Sequence, residues 1–340
     1  MMKLLTIVIP SYNAARFLRP CVDRMLPAGP ELDILIVDDG STDDTPVLSD
    51  ALAAEHPEIV RVVHQENGGH GEGINQGIRM AQGIYLKSVD ADDRIDTESL
   101  IALLSLLRDH ATPETWADLV VNDYSYDNPG RENVSTIRYN HVFRSDGMNT
   151  WESCHPFPPW KQFVIHAVCY RVAILREHHY ELPRHVFYED NMYAYQPLPW
   201  TRKILYLPRV LYGYLVGQAT QSVSPENLIR NIDQNTNVAT QLICTWTWDQ
   251  IQEQPPHLRD YMISYLAGQI LALALVHDTV HNDHADRLWQ EMWEKIHAFD
   301  PRLDQAIRHH PNAFFVTSSI PGLRRMSYQI GQAARKRLGF

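Results

Sequence analysis

Hydrophobic positions in the first 125 residues follow two alternating periods. Continuous apolar runs at LLTIVI (4–9), DILIV (33–37), IVRVVH (59–64), IYLKSV (84–89) and ADLVVNDY (117–124) predict buried strands. Stretches with helical spacing separate them, from Ala14 to Met25 and then over 44–56, 71–83 and 97–110. Thr42 is the expected N-cap of the second helix, Pro46 falls in its first turn, and Gly83 is expected to close the third. Such alternation predicts an α/β fold, a mostly parallel sheet flanked by helices on both faces. Binding sites in such a sheet form at the carboxyl ends of the strands.

Between about 130 and 220 the pattern breaks up. Short β-prone pieces (VSTIRYNHVF, QFVIHAVCY, ILYLP, VLYGYLV) alternate with proline- and aromatic-rich turns such as CHPFPPW (154–160), which predicts antiparallel additions to the sheet. After Pro225 the chain reads as helical, with apolar residues at 258, 261, 262, 265, 266, 270 and 273 on one face. The expected division is 1–222 for the α/β domain and 223–340 for a helical C-terminal region. The apolar run Leu4 to Ile9 stops at Pro10, too short for a signal-peptide core. Tyr265 to Val276 contains Gln269 and falls below the ~20 residues that span a bilayer. A cytoplasmic protein is expected, either free or peripheral on the inner face of a membrane.

Charge narrows the choice of partner. Thirty basic against 41 acidic residues give a net charge of −11, which argues against nucleic acid, since phosphate neutralisation needs a basic surface. The charge is uneven, however: from Gln305 to Phe340 there are six Lys or Arg and no Asp or Glu. That tail reads either as a basic amphipathic helix on anionic lipid or as a solvated helix packed on its domain. The four cysteines lie far apart without a C-x-x-C pair, so neither a disulfide scaffold nor a structural zinc site is indicated.

Acidic residues gather immediately after the predicted strands. Asp38-Asp39-Gly40-Ser41 follows the second and Asp90-Ala91-Asp92-Asp93 the fourth. Carboxylates so placed repel one another unless a cation or a donor-bearing ligand lies between them. Hard oxygen ligands suit Mg²⁺ or Mn²⁺ bridging a diphosphate. Pro10-Ser11-Tyr12-Asn13 ends the first strand and brings an aromatic face to the same edge. There a ring can stack on a base while a carboxylate accepts the base N–H. NGGHGEGINQG, after the third strand, is a glycine-rich entry to a helix that permits close approach to an anion, although it lacks a G-x-G-x-x-G fingerprint.

Together these residues resemble glycosyltransferase family 2. The matching segments are TIVIPSYNAARFLRPCVDRML, ILIVDDGSTDDT, QENGGHGEGINQGIRMAQGIYLKSVDADDRID and FYEDNMYAY, in the family's order over about residues 4–195. The resemblance implies a GT-A fold over 1–222 and inverting transfer from a nucleoside-diphosphate sugar to a hydroxyl on a glycan or lipid-linked acceptor, in cell-surface glycan or polysaccharide synthesis. It favours UDP, with dTDP and GDP left open. By resemblance, Pro10, Tyr12 and Asp39 line the base pocket and Asp38 supports the turn. Asn75 lies on the helix facing the nucleotide sugar, Asp90 and Ala91 contact the ribose or sugar, and Asp92 ligates Mn²⁺ or Mg²⁺ beside Asp93. Many relatives have Ala-Arg-Asn where this chain has Gly73-Ile74-Asn75, so His70 is either a substitute contact to diphosphate or a capping residue.

Transfer to a hydroxyl also needs a general base. Glu189-Asp190 resembles the family's Glu-Asp pair, with Asp190 the expected base and Glu189 its alternative. Gln218, Gln221 and Ser222 stand where relatives contact diphosphate or acceptor. Trp151, His155, Phe157 and Trp160 read either as an aromatic acceptor platform or as core beneath a loop. The chain lacks the Q-x-x-R-W segment of processive polysaccharide synthases. Two rival functions are a degenerate nucleotide-sugar-binding scaffold and a sugar nucleotidyltransferase. Against the latter, the position of its glycine-rich basic loop reads PSYNAARF.

Overall fold

The structure is a computed structural model that describes residues 2–128, 135–159, 161–216, 225–280 and 282–317. Two compact units divide the chain. The first comprises Met1–Ser153, Phe163–Val186 and Trp200–Leu215, and the second Cys154–Gln162, Phe187–Pro199 and Val216–Phe340.

Ten strands build one sheet in the first unit: β1 (Leu5–Ser11), β2 (Leu32–Asp38), β3 (Val60–His64), β4 (Tyr85–Ser88), β5 (Arg94–Ile95), β6 (Leu119–Asp127), β7 (Ser135–Ile137), β8 (Asn149–Thr150), β9 (Val168–Arg171) and β10 (Lys203–Leu215). Their order is β3-β2-β1-β4-β9-β6-β10-β5, with β7 on β6 and β8 on β10. The apolar runs of β1 and β2 are buried almost throughout, as expected for central strands. Parallel pairing sets Ser11 opposite Asp38 and Asp38 opposite His64, and β4 runs parallel to β1 on its other side. The turns after β1, β2 and β4 therefore leave from one edge of the sheet.

The sheet is mixed rather than uniformly parallel. β9, drawn from QFVIHAVCY, inserts antiparallel between β4 and β6. ILYLP and VLYGYLV are not two additions but the single strand β10, parallel to β6. A bulge separates its halves at the exposed Pro208 and Arg209, where a residue without an N–H interrupts no ladder.

Helices α1 (Ala15–Met25), α2 (Thr45–Glu55), α3 (His70–Met80) and α4 (Thr97–Asp109) alternate with these strands. α1 buries Leu18, Cys21, Val22 and Met25, the helical spacing read in the sequence. The N-cap position of α2 is Asp44 rather than Thr42, whose N–H (2.8 Å) and hydroxyl (3.3 Å) both donate to Asn13 Oδ1 in the preceding turn. α3 stops before Gly83, whose N–H donates to Thr6 Oγ1 at 2.8 Å. It lies so close to β1 that a Cβ on Gly73 or Gly77 would come within 2.8 Å of Pro10 or Val8.

The second unit is helical. Helices Ile232–Ile243, Asp283–Phe299, Pro301–His309 and Pro311–Thr317 pack on a central helix, Pro256–Val280. That helix has 25 residues, well beyond the apolar stretch marked in the sequence, and by length and composition it could cross a membrane. Half of its most apolar stretch is buried within the protein, as in a core helix. Trp160, Gln218, Gln221, Ser222 and the basic segment Gly322–Phe340 lie outside the described residues.

Candidate active site

Side-chain hydrogen bonds join the turns after β1 and β2. Asn13 adopts φ 51°, a conformation asparagine tolerates better than most residues. Its Oδ1 accepts from the N–H groups of Thr42 (2.8 Å) and Asp43 (3.3 Å), and its own N–H donates to Ser41 Oγ at 3.0 Å. Asp38 accepts from the Ser41 N–H at 3.1 Å and faces His64 Nδ1 at 2.8 Å. Asp39 is buried, accepting from Gln65 Nε2 (2.7 Å) and from the N–H groups of Gly68 (2.7 Å) and Gly69 (2.9 Å). Gly69 has φ +85° and a Cβ there would sit 2.9 Å from the His185 nitrogen, so this tie requires glycine. Beside these pinned turns the Tyr12 ring stays 56% exposed.

His64 bridges Asp38 and Asp50, with 2.8 and 3.1 Å contacts that raise its pKa above the ordinary 6.5. It gains those acceptors only on folding. The stability it contributes is therefore full below about pH 6.5 and fades as pH rises through the raised value. Melting temperatures of the wild type and His64→Gln should accordingly converge between pH 6 and 9. Curves that stay parallel would remove His64 from the linkage.

The carboxylates after β4 crowd together beside a histidine. Asp90, Asp93 and His166 each place a ligand atom within 4.8 Å of the others, and Asp92 lies outside that group. Asp90 Oδ1 meets His70 Nε2 at 3.0 Å, so His70 orients this carboxylate. The Tyr212 hydroxyl accepts the Asp90 N–H at 3.2 Å and donates to Asp93 Oδ2 at 2.5 Å, while Asp93 Oδ1 accepts the Leu215 N–H at 2.8 Å.

Burial opposes ionisation of Asp90, but the charge and hydrogen bond of His70 outweigh it and hold the carboxyl below its usual value. Asp92 and Asp93 are raised, first by burial and then by the charge of Asp90. Burial drives His166 down to about 4, leaving a neutral imidazole at pH 7. Three crowded carboxylates and a neutral nitrogen donor, with too little positive charge around them, fit a divalent cation.

Residues 6–165 match the family model "Glycosyl transferase family 2". This segment is a glycosyl transferase family 2 domain. The family 2 domain is similar to the glycosyltransferase GlyG of Streptococcus pneumoniae, 37% identical over 130 residues covering 37% of this chain and 41% of GlyG. It is also similar to a chondroitin synthase of Pasteurella multocida, 29% identical over 159 residues covering 44% of this chain and 16% of the synthase. The chain thus spans well under half the length of these curated relatives. Among solved structures, Staphylococcus aureus TarS 1–349 superposes with TM-score 0.65 at 15% identity, covering 99% of this chain and 92% of that one. The fold is GT-A.

Within this family frame, Asn75 corrects an expectation. It is buried, its amide donates to Glu72 Oε2 (3.0 Å) and Leu182 O (2.9 Å), and its Oδ1 accepts the Leu182 N–H at 2.8 Å. Asn75 therefore fastens the 181–184 segment to α3 instead of facing a donor sugar. Trp151 is likewise core, fully buried with Nε1 on Thr201 Oγ1 at 3.0 Å, so it offers no face to an acceptor. Phe157 belongs to the second unit, 4.2 Å from the Tyr261 ring. Ala91 is buried between the cluster carboxylates in sequence, and Pro10 packs on α3.

Glu189 and Asp190 also belong to the second unit, at the start of the short helix Asp190–Tyr195. Glu189 is buried and Asp190 is partly exposed. Sequence reasoning did not single out His166, Lys87, Asn122 or Tyr212. Lys87 was the available signal, a cation at the centre of an otherwise apolar strand.

Proposed function

We propose that this chain is an inverting glycosyltransferase that moves a sugar from a nucleoside-diphosphate sugar, with UDP favoured, to a hydroxyl of a glycan or lipid-linked acceptor. The observation that carries this proposal is the shared sheet edge: an exposed Tyr12 ring and the pinned Asp38-Asp39 turn stand beside carboxylates whose charge lacks compensation. TarS has been solved with UDP-GlcNAc, which supports a UDP-sugar as donor class. Likeness to a chondroitin synthase supports a role in polysaccharide or surface-glycan assembly.

In this proposal Tyr12 stacks on the base and Asp39 accepts its ring N–H through the acceptor capacity left beside its three donors. The acidic cluster after β4, in which Asp90 and Asp93 lie within ligand distance of each other, would hold Mn²⁺ or Mg²⁺, which when bound neutralises charge on the departing diphosphate. Asp190 takes the acceptor proton as the acceptor oxygen bonds to the anomeric carbon, and the electrons of the broken C–O bond leave with the diphosphate. The basic segment after Gln305 would provide a peripheral contact with anionic lipid.

A thermal-shift panel of nucleotide sugars with and without Mn²⁺ tests the donor class, since a ligand that binds the native state raises its melting temperature. UDP-sugars should stabilise the protein, and Tyr12→Ala should weaken their binding by about 1–3 kcal/mol, the scale of a lost base stack. No stabilisation by any nucleotide sugar would refute the assignment. Stabilisation without nucleoside-diphosphate release in the presence of acceptors would favour a binding scaffold.

A further inference from the structure

His166 occupies a built position. The residue is only 8% exposed, and its Nδ1 has no hydrogen-bond partner among the described residues. Its carbonyl accepts from Lys87 Nζ at 2.8 Å and Asn122 Nδ2 at 3.0 Å. The fully buried Lys87 also donates to Asn122 Oδ1 at 3.1 Å, so an ammonium is spent on fixing this backbone. The imidazole stacks against Tyr212 (4.4 Å) and Tyr214 (4.7 Å), each inclined by 26°. Tyr212 is the same side chain that holds Asp93 and the backbone of Asp90. A histidine serving only as filler would have its ring nitrogens bonded. Here the ring packs against two tyrosines, and a ring nitrogen lies within 4.8 Å of two carboxylates, one of which keeps 31% of its side chain open to solvent.

We infer that His166 ligates the divalent cation together with Asp90 and Asp93, and that its nitrogen makes the site select Mn²⁺ over Mg²⁺. This rests on the glycosyltransferase proposal only in placing a cation at the carboxylates. Mg²⁺ prefers an all-oxygen shell, whereas imidazole nitrogen strengthens binding of first-row transition ions. Asp92, outside the group, is left to face the donor.

The test is Mn²⁺ binding to the full chain with UDP present, followed by loss of the free-ion EPR signal and by competition with Mg²⁺. His166→Phe keeps the stacked ring without a donor atom, and His166→Gln supplies an oxygen should the first variant fold poorly. Both should lose about 10–100-fold in Mn²⁺ affinity while Mg²⁺ affinity changes little, so that selectivity collapses. The wild-type pulsed-EPR spectrum should show a directly bound ¹⁴N that survives His70→Gln and disappears in His166→Gln. Wild-type Mn²⁺ affinity in either folded variant, or no bound ¹⁴N in the wild type, overturns the role of His166 and leaves the donor assignment standing. If the wild type binds nucleotide sugar but no Mn²⁺, the cation itself is overturned. If it binds neither, the proposed function falls as well.

Discussion

Asp190→Asn should bind nucleotide sugar and Mn²⁺ as the wild type does, yet transfer the sugar about 10²–10⁴-fold more slowly. Asparagine keeps the shape of the side chain but cannot accept a proton, so only the step that needs a base is lost. Asp190 begins the helix Asp190–Tyr195 and is partly exposed, as a group that meets an acceptor hydroxyl must be. Glu189, one residue earlier, is only 3% exposed. Glu189→Gln should therefore lose more stability than Asp190→Asn and keep more activity per folded molecule. Nucleoside-diphosphate release with acceptor present, measured beside donor affinity for each variant, separates the two carboxylates. Normal transfer by Asp190→Asn with a dead, folded Glu189→Gln would exchange their roles. Normal transfer by both would leave this pair structural.

The parts of the fold that the sequence disclosed are those whose signal is local. β1, β2 and β4 are runs buried on both faces, and α1 between the first two carries a complete apolar stripe. What it concealed depends on partners far along the chain. Nothing within VIHAVCYR says that β9 will lie antiparallel between β4 and β6, because that choice is made by backbone pairing with residues about 50 to 85 positions earlier. β10 was split by Pro208, whose bulge the strand tolerates at an exposed position.

The same distinction divides the site. The Asp38-Asp39 and Asp90-Ala91-Asp92-Asp93 turns are contiguous, so composition alone marks them. His166 has no partner at metal-ligand spacing in sequence, and its carboxylate neighbours lie more than 70 residues away. Asn75 misled for the opposite reason. Its place in the helix matched the family motif, but its amide is consumed by Leu182, 107 residues later.

Asp39→Ala should destabilise the first unit by about 3–5 kcal/mol and abolish nucleotide binding, an effect larger than any single contact to a base. The carboxylate is 4% exposed and is the shared acceptor for the Gln65 amide and two consecutive backbone N–H groups. Alanine leaves the buried Gly68 N–H and the partly buried Gln65 and Gly69 donors without this acceptor, and a buried unsatisfied group costs about 1–3 kcal/mol. The loop they belong to also receives the His185 N–H at Gly68 O, so its release would loosen the 181–186 segment. Asp39→Asn should fall between the two proteins, since one oxygen still accepts while the amide opposes an N–H. Tyr12→Ala provides the contrast: its ring is exposed, and its loss should weaken nucleotide binding without lowering the melting temperature. Thermal unfolding and nucleotide calorimetry on the three variants decide the matter. An Asp39→Ala protein that melts within about 2 °C of the wild type would show that the turn is held without this carboxylate. If that stable variant also failed to bind nucleotide, Asp39 would be a ligand contact alone.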